Sequence, residues 1–185
     1  MSRAVEFVLL ALAHCGAAAV RQLAQMPKPI SQRWLSAFAQ ETGLVAVTTV
    51  GYRHQEVRYT ALTPCGKRYA KGMLGVIPYR GTPAQLVHDL TLAGYYLRLP
   101  EEARRTWRNP EQLLASVTYR YRSHYRASYP DGLYQDSAGR NVVVEIAGPK
   151  LTRRQIEAKR LTAWGQWNTC DLVVIKAGVY AHDDF

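Results

Sequence analysis

Two runs of β-branched and aromatic residues, LVAVTTV at 44–50 and EVRYTAL at 56–62, are separated by the polar, glycine-containing GYRHQ. Side chains that favour a pleated, half-buried surface, interrupted by a short glycine-bearing tip, specify a β-hairpin, here with a basic tip. The chain before it reads as three helices. Val5 to Ala13 is apolar with helical spacing and stops at Gly16. Val20 to Gln25 forms a short second helix with Val20 and Leu23 inward, broken by the turn at Pro27 and Pro29. Ser31 is a good N-cap for a third helix reaching about Thr42, with Trp34, Leu35 and Phe38 as its apolar stripe and Gly43 just past its end. TPCGKRYAKG closes the segment as a further short helix.

Charge narrows the partner. The chain carries 24 basic and 14 acidic side chains, a net of +10. Up to residue 80 there are 10 basic and 3 acidic residues, so the excess is concentrated in the first part. That is the electrostatic footprint of a polyanion. No run approaches the roughly 18–20 apolar residues needed to span a bilayer, and no basic amphipathic helix suits a membrane surface. The opening VEFVLLALAHCGAAAV holds Glu6 and His14 and reads as a buried helix, not a targeting segment. Cys15, Cys65 and Cys170 lack metal or disulfide spacing and read as small core residues in a reducing compartment, the cytoplasm.

The order of helices and hairpin resembles the winged helix-turn-helix family over roughly the first 70 residues. Its most specific piece is YTALTPCGKRYA at 59–70, similar to the second wing strand and closing turn. The resemblance implies that the third helix enters the major groove and that the wing touches backbone or minor groove. By position it implies DNA contacts from Lys28, Ser31, Gln32, Arg33, Ser36 and Gln40, and from Tyr52, Arg53, His54 and Arg58 on the wing. Arginine can address guanine and glutamine adenine, while lysine and serine hold phosphate. A winged helix serving protein contacts alone is the competing reading.

A second domain, 81–185, follows the first, 1–77. Gly81-Thr82-Pro83 reads as linker and cap, and AQLVHDLTLAGYYLRL as a helix with Leu86, Leu90, Ala93 and Leu97 on one stripe. A strand is expected between Thr106 and Val117. In TYRYRSHYRASY, Arg120, Arg122 and Arg126 interleave with Tyr119, Tyr121 and Tyr125. Such a run makes a second nucleic-acid contact, or a strand whose tyrosines turn to the core. Two strands, about Gly132–Gln135 and Asn141–Ile146, are joined by a Ser-Ala-Gly turn. LTRRQIEAKRLTAWGQW reads as an amphipathic helix with Ile156, Leu161 and Trp164 inward, and DLVVIKAGVY as a buried strand.

This α-β-β-β-α-β order, with Pro130-Asp131 before one strand and Glu145 on the next, resembles the PD-(D/E)xK nuclease-like fold over about 100 residues. HDL at 88–90, PDG at 130–132 and VEI at 144–146 after a winged helix resemble the replication-relaxation or mobilisation-accessory proteins of plasmids and phages. In that fold two carboxylates converge on Mg²⁺ or Mn²⁺, and a lysine steers the attacking water. Asp131 and Glu145 match the acidic positions, but Ala147 occupies the lysine position. Lys150 or Lys159 are the replacements, and His88 or Asp89 a further ligand. Asp131 also suits a plain Pro-Asp-Gly bend, whereas Glu145 amid valines needs a partner, metal or arginine.

The sequence therefore describes an α+β protein that binds duplex DNA as an accessory of plasmid or phage replication, mobilisation or transcriptional control. Its nuclease-like domain is read as non-cleaving, with Mg²⁺ or Mn²⁺ as cofactor only where that site is active. The second reading is a metal-dependent endonuclease targeted by its winged helix. The third is a ligand-responsive transcription regulator, which requires an apolar pocket. Other replication or mobilisation proteins and a second copy of the chain are the further partners.

Overall fold

The computed structural model describes residues 1–52, 55–116, 129–149, 151–169 and 171–178. Arg53, His54, Lys150, Cys170 and the Arg/Tyr run through Arg120, Arg122 and Arg126 lie outside the described residues. Among those described, eight α-helices and two three-stranded sheets make a mixed α+β protein. No helix among them is long and apolar enough to cross a membrane.

Ser2 caps α1 (Arg3–Cys15), its hydroxyl accepting from the Val5 amide at 3.3 Å. Gly16, at φ 85°, turns the chain into β1 (Ala17–Ala19), and α2 (Val20–Ala24) follows directly. Ser31 caps α3 (Gln32–Thr42) as expected, accepting from Trp34 at 3.2 Å, and Gly43 ends it in the left-handed conformation. The hairpin pairs β2 (Val45–Tyr52) with β3 (Gln55–Leu62) in the register Val45 to Leu62 and Tyr52 to Gln55. Thr63 then ties the hairpin to α3 and starts α4 (Pro64–Met73). Its hydroxyl donates to the Gly43 carbonyl at 2.6 Å and accepts from the Gly66 amide at 3.1 Å. Cys15 is buried, but Cys65 stands exposed near the start of α4, not in the core.

The central element of the molecule is α5 (Leu86–Arg98), which packs on α1 and β1 and also on the second sheet. Leu90, Ala93 and Leu97 are buried as expected, but so are Thr91, Leu92 and Tyr96 on its other sides. A helix that is apolar nearly all round belongs in an interior. One buried cluster accordingly runs from Val8 and Leu12 through Leu92 and Tyr96 to Trp107 and Val144. The wholly buried Asn109 reinforces this continuity, its side-chain amide donating to the Ala13 carbonyl at 3.1 Å and the Ile77 carbonyl at 2.8 Å.

After α6 (Glu101–Arg105), the strand expected between Thr106 and Val117 is replaced by a single bridge, Arg108 to Leu133, and a helix, α7 (Pro110–Ala115). The reason is local. Asn109 caps the helix, Pro110 fits its first turn, and the Gln112 side chain returns a hydrogen bond to the Asn109 amide at 3.1 Å. Over the described residues the order is thus three helices, two strands, helix, strand. The second sheet pairs β4 (Gly132–Gln135) antiparallel to β5 (Asn141–Ala147), and β5 parallel to β6 (Leu172–Lys176). Asp136 accepts from the Ala138 and Arg140 amides at 2.9 Å, shaping the β4–β5 turn.

The crossover helix, α8 (Arg153–Trp167), runs in a different phase from the one expected. Ala163 is buried and Ile156 half-buried, whereas Leu161 is 60 % and Trp164 59 % exposed. Ile156, Lys159 and Ala163, at i, i+3 and i+7, face the sheet in their place. β6 also differs: it is an outer strand among those described, only Ile175 is buried, and Val174 is 37 % exposed.

Candidate functional site

Five side chains, from α5, β5, α8 and the residue just before β4, meet where the two carboxylates of the sequence motif come together. Asp131 immediately precedes β4, and its Oδ2 accepts from the Ile146 amide of β5 at 2.7 Å. That bond sets the aspartate beside Glu145. From α5, His88 Nε2 reaches Asp131 Oδ1 at 3.1 Å, while its Nδ1 lies 3.2 Å from Asp89 Oδ1. From α8, Lys159 Nζ reaches Glu145 Oε1 at 2.8 Å. The inward phase of α8 positions this lysine, and the need of a buried carboxylate for a cation supports that phase.

The electrostatics follow from burial and pairing. Burial pulls the His88 imidazole toward its neutral form, but hydrogen bonds to Asp131 and Asp89 and their charges outweigh it, pushing the pKa up to about 10. His88 is an imidazolium donating from both nitrogens. Burial raises Asp89 above the usual carboxylate range despite His88, because only 3 % of the residue is exposed. Its Oδ2 is packed so closely that a Cβ on Gly16 or Gly81 would lie 2.8 or 2.3 Å away. Glu145 is pushed up to about 7, first by burial and then by the charge of Asp131, with Lys159 opposing both.

A divalent cation does not fit this donor set. Both oxygens of Asp131 already accept hydrogen bonds, and Oε1 of Glu145 holds Lys159. Of the four oxygens of Asp131 and Glu145, Oε2 of Glu145 is the one left buried without a hydrogen-bond partner among the described residues. No group of three or more His, Cys, Asp or Glu side chains among them is arranged to hold a metal ion. Mg²⁺ is usually held by one or two carboxylates together with water, and here the Ile146 amide, His88 and Lys159 already occupy three of the four oxygens of Asp131 and Glu145. His88 and Lys159 neutralise the two carboxylates from within. His88, expected as a further ligand, bridges Asp131 and Asp89, and of the two lysines expected near the acidic residues Lys159 reaches Glu145, while Lys150 lies outside the described residues.

The residues assigned to DNA contact lie elsewhere. Gln32, Arg33 and Gln40 are exposed on α3, opposite the buried Leu35 and Phe38, and Trp34 stacks on Phe38 at 5.1 Å. Lys28 is exposed just before the helix and Ser36 is half-buried on it, while the Ser31 hydroxyl is engaged in the cap. Arg58 is exposed on the hairpin, its Nε donating to Thr49 across the strand pair at 3.4 Å, and Tyr52 is half-buried. An apolar cleft of about 220 Å³ lies between hairpin and α5, lined by Val50, Val57, Pro83, Leu86 and Leu90. A ligand-responsive regulator would require such a feature.

Two features escaped the sequence. The bridging position of His88 depends on how α5 rolls between two packed layers, which no local pattern encodes. The outward Leu161 and Trp164 depend on the phase of α8, for which Lys159 opposite Glu145 was the available signal. No family model, curated protein or solved structure matches this chain.

Proposed function

We propose that the chain binds duplex DNA through α3 and the β2–β3 hairpin, used as a winged helix-turn-helix. It would serve as a cytoplasmic accessory of plasmid or phage replication, mobilisation or transcriptional control. The second part is a PD-(D/E)xK-like domain that does not cleave. The observation that carries the DNA reading is the division of α3 into two faces. Leu35 and Phe38 lock the helix to the core, and Gln32, Arg33 and Gln40 stay free on the outside, beside a hairpin that exposes Arg58. Fixed backbone and free bidentate side chains are what base readout in a major groove needs.

The test is a gel shift on duplex fragments selected from a random pool. Arg33→Ala is expected to weaken specific binding roughly tenfold, with non-specific binding nearly unchanged. Binding of the unaltered chain should also fall steeply as salt rises, because neutralised phosphates release counterions. Specific binding that survives both Arg33→Ala and Gln32→Ala removes α3 from the interface.

One observation favours the endonuclease reading: Lys159 stands 2.8 Å from Glu145, where a transplanted catalytic lysine would be wanted. Incubating duplex DNA with the protein and Mg²⁺ or Mn²⁺ separates the two. With the carboxylates already paired, no cleavage is expected. Cleavage lost in both Asp131→Ala and Glu145→Ala would replace the accessory reading with the catalytic one.

A further inference from the structure

The outer face of α8 combines arginines with unburied apolar side chains. Arg153, Arg154, Arg160, Leu161 and Trp164 fall within about 120° of one another around the helix, along with a single acid, Glu157. Trp164 and Leu161 are among the few large apolar residues left exposed, and they are neighbours at i and i+3. Arg153 and Arg154 sit in the first helical turn, where the helix dipole disfavours cations. Arg160 approaches Glu157 only at 3.9 Å. None of this serves the helix itself, whose inward face of Ile156, Lys159 and Ala163 already holds it to the sheet.

We infer that this face is a binding surface for single-stranded nucleic acid, with Trp164 as a stacking platform and Arg153, Arg154 and Arg160 along the phosphates. Charge decides between the candidate occupants. A second copy docked symmetrically on the same face would bring two sets of three arginines together, each offset by one glutamate. A polyanion is drawn by the same charge. An exposed indole beside arginines offers a surface on which unpaired bases stack, and a duplex, whose bases are already stacked, cannot use it. From Arg153 to Trp164 the stripe runs about 16 Å, enough for a few nucleotides. The surface is separate from α3 and the hairpin and does not depend on their binding duplex DNA.

The experiment is a fluorescence-anisotropy titration of the full chain with a labelled twelve-residue oligothymidylate at low salt. The wild-type protein is expected to bind. Trp164→Ala should weaken binding about tenfold, Trp164→Leu equally, and Trp164→Phe much less, because a ring stacks and an aliphatic chain does not. Arg153→Ala with Arg160→Ala should flatten the salt dependence. The side chains are exposed, so unchanged circular dichroism and melting would show each variant folded. The inference is overturned by no oligothymidylate binding by the wild-type chain, or by equal binding by Trp164→Ala. Sedimentation showing a dimer that Trp164→Ala dissociates would also overturn it, assigning the face to a second copy. Duplex binding measured in parallel should be unchanged by Trp164→Ala, so failure of the α3 reading and failure of this one are told apart.

Discussion

Replacing Lys159 with methionine is expected to change stability little at pH 6 and to cost about 3 kcal/mol at pH 9. The pH dependence comes from Glu145, whose folded pKa is pushed from 4.5 up to about 7 by burial and Asp131, against the pull of Lys159. A carboxyl with a raised folded pKa contributes stability that is complete below its unfolded value and is lost as pH climbs through the folded one. Removing Lys159 raises that pKa further and extends the loss upward. If Glu145 had to stay charged, breaking a buried pair would cost roughly 3–5 kcal/mol. Proton uptake limits this, because each pH unit above 7 adds at most about 1.4 kcal/mol. Near pH 6 most Glu145 is already protonated and the lysine has little charge to balance. Methionine keeps most of the length of the lysine stem, so packing over the sheet is retained. Urea unfolding of both proteins at the two pH values gives the energy, and thermal unfolding is the second check, with a melting difference of roughly 6–12 °C expected at pH 9. A difference that stays constant with pH would show that Lys159 does not balance a titrating Glu145.

The same pair shows where sequence reading succeeds and where it stops. Asp131 and Glu145 were recognisable together because the β4–β5 connection is short and its Asp-Ser-Ala-Gly turn is local chemistry. Ser31, Gly43 and the hairpin were legible for the same reason: caps and turns are written in adjacent residues. β1 was not. Ala17, Ala18 and Ala19 have low strand preference, and they form a strand only because β3 offers its free edge. α7 was missed although Asn109, Pro110 and Gln112 spell a capped helix start. The phase of α8 was misjudged because Ile156 is compatible with two stripes, one through Leu161 and Trp164 and one through Lys159 and Ala163. Counting apolar residues favours the first. The second wins because Glu145, 7 % exposed, would otherwise be buried unpaired.

Pairing the carboxylates with His88 and Lys159 also bears on what the second sheet is for. His88 belongs to α5, which packs against α1 and β1, while Asp131 stands just before β4 and Glu145 lies on β5. The two ion pairs therefore fasten the helix shared with the first part of the chain, and the crossover helix α8, to one sheet. A carboxylate pair used in this way holds a platform in place. It is in keeping with the proposal that the second part of the chain does not cleave DNA.

Gly132→Ala is expected to destabilise the protein by about 3 kcal/mol, the upper end for overpacking a core, and to disturb the Asp131–His88 contact. A Cβ at this position would lie 2.1, 2.4 and 2.8 Å from Cζ2, Cη2 and Cε2 of Trp107. The indole cannot swing away easily. It is 2 % exposed, stacked on Tyr134 at 5.9 Å and met edge-on by Tyr96 at 5.3 Å. β4 cannot easily withdraw either, since Leu133 exchanges hydrogen bonds with Arg108 at 2.7 and 3.0 Å and Gly132 pairs with Val144. The entropic gain of alanine in the unfolded chain, about 0.4–1 kcal/mol, is too small to offset the clash. What movement does occur passes to the adjacent Asp131. Chemical denaturation gives the stability, and the imidazole proton resonances of His88 report the contact. Trimming the ring with Trp107→Phe should make the double variant less unstable than the two single losses added, because the clash is shared. A Gly132→Ala protein within 0.5 kcal/mol of wild type would mean that Trp107 does not lie over the strand that carries Asp131.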